Sequence, residues 1–332
     1  MKRKISNVVM LTVVAILLIL AQPVFASSAP FTIIDLGNLG RPYAYARHIN
    51  ERGQVVGWSE TSSGPYHAFL WENGVMVDLG VLPGGSHSLA INLNERGQVV
   101  GWSDIDLPFL EHAFLWENGT MTVLDSLNSS ASGINARGQV VGWGDTGLGE
   151  RHAFLWQSGT ATDLGTLPDG SFSQAFEINN RGEIVGFGLT NLGAYHAILW
   201  KDGTITDLGT LGGSFGVAYA LNERGQVVGY SHTTSGETHA FLWQKGRMTD
   251  LGTLGGADSF ATGINERGQI VGFSNIVSGA EHAFVWEKGK MTDLGTLAEG
   301  ATSRAWGINN SGQIVGESND ATGTPSAVLW TR

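Results

Sequence analysis

Apolar residues in this chain come in short blocks closed by polar turns. Residues 44–82 show one complete block. Residues 44–50 read as a strand, and Glu51-Arg52-Gly53 turns the chain. Gln54-Val55-Val56-Gly57-Trp58-Ser59 reads as a second strand, followed by a loop over 60–66. His67-Ala68-Phe69-Leu70-Trp71 is a third strand, Glu72-Asn73-Gly74 a turn, and residues 75–79 a fourth strand. Runs this short, rich in Val, Phe and Trp and bounded by Gly and Asn, fit strands rather than helices. The second and third are almost continuously apolar, the pattern of strands covered on both faces.

The block repeats. His67-Ala68-Phe69-Leu70-Trp71 returns at His112, His152, His196, His239 and His282, and ends the chain as Ser326-Ala327-Val328-Leu329-Trp330. The closing tryptophans are 45, 40, 44, 43, 43 and 44 residues apart. Four short antiparallel strands in a period of this length predict a propeller blade. The turn Asn50-Glu51-Arg52-Gly53 recurs with Asn94, Asn135, Asn179, Asn222, Asn265 and Asn309. Asn can bond the backbone at the start of such a turn, and Gly accepts the positive φ that ends it. The second turn ends in Gly74 and its repeats, a short hairpin whose type the sequence leaves open.

Residues 31–40 match a fourth strand alone, and the chain stops just after a third. Six whole blades therefore lie between two complementary fragments. The expected fold is all-β, a seven-bladed β-propeller whose N-terminal strand completes the C-terminal blade and removes an exposed edge.

These residues resemble the HAF-repeat family of probable extracellular bacterial proteins. The likeness rests on Ile-Asn-x-x-Gly-x-Val-Val-Gly combined with His-Ala-Phe-Leu-Trp, and it covers the chain after residue 26. Departures are Ile198, Gly144, Gly188, Glu317, Ser326 and Val328. The resemblance implies an extracellular propeller with no settled activity.

Lys2-Arg3-Lys4, an apolar run over 8–20 and Val24-Phe25-Ala26 predict a cleaved signal peptide at 1–26. Residues 27–332 are then a single domain, secreted to the periplasm or beyond, with no stable membrane insertion. Cleavage takes the formal charge from −11 to −14. An acidic protein is a poor partner for nucleic acid. With no Cys, disulfides are excluded, and stability must come from the core and from ring closure.

The triplet histidines lie in different blades, so they are expected to hold their own blades, by donating to a loop or backbone carbonyl, rather than to share a metal. No cofactor is expected. The Gly-rich segments Pro83-Gly84-Gly85, Gly212-Gly213 and Gly255-Gly256 read as loops without the Lys-Ser/Thr of a phosphate loop. Loops that join strands two to three and four to one vary, and binding is expected there. Candidate ligand residues are Tyr43, Tyr66, His87, Phe109, Leu110, Tyr195 and Arg304, with residues 104–111 read as the longest connector. In strand one, Arg47, His48, Asn92 and Glu177 are polar exceptions; a site at the tunnel mouth is one reading of them, and structural groups satisfied by water in the channel is the preferred one. The expected function is a monomeric, non-catalytic binding or scaffold propeller for a glycan, surface component or protein. The alternative is a polysaccharide lyase or glycoside hydrolase using carboxylates on the varied face.

Overall fold

The computed structural model describes residues 31–105, 107–124 and 128–332, with backbone alone over 107–109. The segment expected to be a signal peptide lies outside the described residues. Among those residues are 28 strands, which form seven four-stranded antiparallel units. Unit 1 runs in spatial order Gly40–Ile49, Val55–Thr61, Tyr66–Glu72 and Val75–Asp78. Units 2 to 6 repeat this order from Ser88, Ser129, Ser173, Gly212 and Gly255. Units 4 and 5 are linked into one sheet by a single parallel pair, Tyr195 with Phe215.

Unit 7 joins the two ends of the chain. Its first three strands are Ser303–Ile308, Ile314–Asn319 and Pro325–Thr331, and its fourth is Thr32–Asp35. Ile33 lies opposite Trp330 and Asp35 opposite Val328. Trp330 is completely buried, packed with Phe31 and Ile33.

The middle strands are apolar throughout because each feeds two cores. Val55 and Phe69 face back toward unit 7 and pack with Val315, Ala327 and Leu329. Val56 and Ala68 face forward and pack with Ala90, Leu93, Val99 and Phe114 of unit 2. Each such large side chain stabilises the fold by about 1.5–3 kcal/mol when fully covered.

The first turn does more than reverse the chain. Asn50 Oδ1 accepts from the backbone N–H of Arg52 and Gln54, and Nδ2 donates to Gln54 Oε1 at 2.8 Å and to Asn94 O of the next unit at 3.2 Å. Asn94, Asn135, Asn179, Asn222 and Asn265 each repeat the second bond, and Asn309 donates to Asn50 O. Seven amides thus form a closed cycle between the units. The second turn is a two-residue type I′ hairpin, with Asn73 at φ 52° and Gly74 at φ 86° between the paired Glu72 and Val75.

Strand one carries a β-bulge in every unit, at Arg47, Ile91, Ser132, Phe176, Tyr219, Thr262 and Trp306. The bulge turns a carbonyl onto strand two. A Cβ on Gly57 would lie 1.9 Å from Tyr45 O, and the same clash recurs at the six equivalent glycines. That is why the Val-Val-Gly motif ends in Gly.

Three expectations need correction. The 104–111 connector is not a long loop: Val99–Ile105 and Leu107–Glu117 are strands, paired as far as Ile105 with Leu107. Leu110, 42% exposed, is on a strand, and Phe109 lies in the same strand. Gly212-Gly213 and Gly255-Gly256 begin strands that pair with Thr233 and Ile276 across wide irregularities.

Candidate functional site

The bulges aim one residue per unit toward the axis, since a bulge re-aims a side chain. A cavity of about 240 Å³ lies there. Its lining runs from the bulge residues to the Asn turns and includes none of the varied loops. Arg47, His48, Asn92, Glu177, Tyr219 and Trp306 give it its chemistry. Asn92 Nδ2 donates to Glu177 Oε2 at 2.9 Å, joining units 2 and 4 across the channel. The two groups therefore satisfy each other, which corrects the expectation of water alone. Burial raises the Glu177 carboxyl to about 7, against the Ile178 N–H and the Asn92 amide, with Glu223 adding repulsion. Burial lowers His48 to about 4. The Arg47 guanidinium lies 4.2 Å above the Trp306 ring.

Glu51, Glu95, Glu223 and Glu266 stand at the mouth of this cavity. Their carboxylates accept from the backbone N–H of the preceding unit: Asn310 to Glu51, Glu51 to Glu95, Asn180 to Glu223 and Glu223 to Glu266. Ala136 cannot take this role for Glu95, so the chain of bonds skips one link.

On the opposite face the candidate residues fall into separate groups. Tyr66 and His87 meet, with ring centroids 4.5 Å apart. Trp58 lies 5.2 Å from Tyr66, Trp102 6.1 Å, and Tyr45 stacks on Trp58 at 4.2 Å. His87 Nδ1 is 3.2 Å from Asp104 Oδ2. Burial works to raise that carboxyl, but the N–H groups of His87 and Ser86 and the His87 ring hold it below its usual range. Tyr195 heads a second group with Phe172, Phe187 and Phe215. Arg304 lies in a third, donating Nε to Glu281 Oε2 at 2.7 Å with its guanidinium over Phe273. Tyr43 is 43% exposed on the first strand of unit 1.

Arg304 also lines a hollow of about 250 Å³ with Tyr45, Glu317, Asn319 and Pro325. Here unit 7 departs from the repeat, since Glu317 replaces the aromatic that ends strand two elsewhere. Trp306 Nε1 donates to Glu317 Oε2. Burial lifts Glu317 to about 7 despite Arg47, the Trp306 bond and Arg304, with Glu281 opposing ionisation further. Tyr45, Trp58 and Trp102 belong to the first group although none is among the ligand residues expected from the sequence. Their signal was present: each sits where strand one or two reaches the varied face.

Five of the triplet histidines have carboxylate partners, not the loop or backbone carbonyl expected. His67 Nδ1 meets Asp78 Oδ2 at 2.8 Å on strand four of its own unit, and His152, His196, His239 and His282 repeat the pair with Asp163, Asp207, Asp250 and Asp293. Val123 stands at the Asp position of unit 2, while unit 7 has Ser326 at the His position and Asp35 at the Asp position. Among the described residues no three His, Asp or Glu converge as a metal site.

No family model and no curated protein matches the sequence. Solved structures do resemble it in shape. The β-propeller domain of the trilobed protease from Pyrococcus furiosus has a TM-score of 0.57 at 11% identity, over 87% of this chain and 93% of that one. The chain folds as a β-propeller. A lectin from Burkholderia pseudomallei gives 0.52 at 12% identity, over 89% and 96%. TolB from Acinetobacter baumannii gives 0.51 at 11%, over 84% of this chain and 64% of that one, so this chain spans less than two thirds of TolB. At such identities the likeness concerns the fold alone. The four-stranded units are the blades of this propeller.

Proposed function

We propose that the chain is a secreted, monomeric seven-bladed propeller of the HAF-repeat kind, and that it binds an extracellular glycan through its varied face. The seven-membered amide cycle and the shared unit 7 support closure into one domain. The observation that carries the binding reading is the group formed by Tyr45, Trp58, Tyr66, His87 and Trp102. Its rings are part-exposed, with the polar atoms of His87 and Asp104 alongside. Aromatic faces beside a few placed polar groups suit sugar rings, which offer C–H faces and hydroxyls together. The lectin among the fold neighbours makes glycans the first ligands to test.

A second reading has one observation in its favour. Burial raises the Glu317 carboxyl to about 7 beside the hollow that Arg304 lines. A carboxyl so placed can act as a general acid in cleavage of a polysaccharide. A glycan array followed by an assay for released reducing ends separates the two. Binding without release supports the propeller as a receptor; release that Glu317→Gln abolishes supports the enzyme.

A further inference from the structure

Blade 7 breaks the repeat at one place. Strand two ends in an aromatic in the other blades, Trp58 in blade 1, and in Glu317 here. Its neighbours change with it. Arg304 lies opposite Glu317, where Tyr45 lies opposite Trp58 and Phe260 opposite Phe273. Pro325 lies opposite Asn319, where blade 1 sets Tyr66 opposite Glu60. Arg304 turns back to blade 6, bonding Glu281 and lying 5.1 Å from the Phe273 ring centroid. A carboxyl and a proline thus stand where blade 1 has two rings, and the hollow of about 250 Å³ is the space they leave.

Polar atoms without partners line this space. Glu317 is 6% exposed, and its Oε2 accepts from Trp306 Nε1. Its Oε1 has no hydrogen-bond partner among the described residues, and solvent reaches it through the hollow. The Asn319 side-chain amide and the Thr302 hydroxyl also line the hollow and are unbonded among the described residues. Proteins seldom leave a buried carboxyl oxygen unsatisfied. Tyr45 gives one ring face to Trp58 at 4.2 Å and borders the hollow from blade 1.

Charge and shape select the ligand. Among the described residues Arg304 is the cation that lines the hollow, and Glu281 already pairs with it, which disfavours an anion. Arg47 and Arg304 both lie near enough to favour ionised Glu317, so they repel an ammonium group. An apolar ring would leave the Glu317 and Asn319 atoms unbonded, at a cost. Resting on the glycan reading, we propose that the hollow between blades 7 and 1 is a subsite for one neutral sugar residue, with hydroxyls on Glu317 Oε1 and the Asn319 amide and C–H groups against Tyr45. A pyranose offers both kinds of contact at once. The hollow is smaller than the roughly 300 Å³ at which sites for drug-sized ligands begin. It admits a single ring, so a chain end or a side branch enters, not a long run.

The test is ligand-observed NMR of the full chain with D-glucose, D-galactose, D-mannose, L-fucose and N-acetyl-D-glucosamine, each at about 10 mM. D-Glucuronate and D-glucosamine serve as charged controls. At least one neutral sugar should bind with a Kd of about 1 mM, and the charged controls far more weakly. Glu317→Phe restores the side chain that blades 4 and 6 carry, so it should fill the hollow and weaken binding about tenfold or more, with folding checked by its melting curve. If that variant does not fold, Asn319→Ala decides the matter: its side chain bonds nothing in the free protein, and its loss should weaken binding about tenfold. No neutral sugar bound, equal binding of a charged control, or binding unchanged in Asn319→Ala or in folded Glu317→Phe each overturns the subsite. An array glycan that Glu317→Phe binds as tightly as the wild type sinks the subsite and leaves the glycan reading standing. If neither sugar nor array glycan binds, both fall.

Discussion

The side-chain amide of Asn309 donates to the backbone carbonyl of Asn50 at 3.1 Å, across 259 positions of sequence. The same step between neighbouring blades spans 41 to 44 positions, so the last blade meets the first as any blade meets the next. Asn309 is 2% exposed and also bonds Gln313. Asn309→Ala should cost about 1–3 kcal/mol in urea unfolding, because it leaves buried backbone groups unsatisfied. Deleting residues 31–40 should do more, by baring the edge of Pro325–Thr331 and uncovering Trp330. A deletion variant that is monomeric and melts like the parent would contradict closure.

Gly186→Ala should fail to fold or lose about 3 kcal/mol or more, since its Cβ would lie 1.9 Å from Gln174 O. Gly147→Ala, with nothing within 4 Å, should leave the melting temperature unchanged. Equal melting temperatures would mean that the bulge does not demand glycine.

His239→Ala should cost less than about 1 kcal/mol, despite a contact of 2.7 Å to Asp250. The Asp250 side chain is 42% exposed, so water screens the pair. A loss of several kcal/mol in chemical denaturation would show that the pair is structurally central.

Glu177 and Glu317 link stability to pH. Each has a folded-state pKa of about 7, raised above the usual carboxyl value of 4.5. Between those values the folded protein holds more protons than the unfolded chain, so stability falls as pH rises from about 4.5 to 7. His48 acts oppositely between about 4 and 6.5, because its folded pKa is lowered. Glu177→Gln should therefore stabilise the protein more at about pH 8 than at about pH 5, read as a melting-temperature difference. The same difference at both values would mean that Glu177 titrates normally.

Much of the fold was legible because each local signal had one physical solution. The two fragments at residues 31–40 and 326–330 could complete only each other, and Ile33 does face Trp330. The Asn of each first turn is legible as a local backbone partner, and Asn50 Oδ1 does accept from the Arg52 N–H. Its bond to the next blade was not legible, since the partner is a carbonyl more than 40 residues away. The bulge was hidden as well: an extra residue changes the register without changing the repeat length. The polar exceptions on strand one were visible, but only the bulge places Asn92 against Glu177. The 104–111 segment misled because its apolar residues look like a loop tip, whereas they extend a hairpin.

The most direct measurement is titration of the array-selected glycan against the wild type, Tyr66→Ala and Tyr195→Ala, with thermal melts to verify folding. Tyr66 contacts three aromatic rings of the varied face, and Tyr195 heads a separate group on units 4 and 5. Binding should fall about tenfold in at least one variant at nearly unchanged melting temperature. No glycan bound by the wild type, or equal affinity in both folded variants, would contradict recognition of glycans through this face.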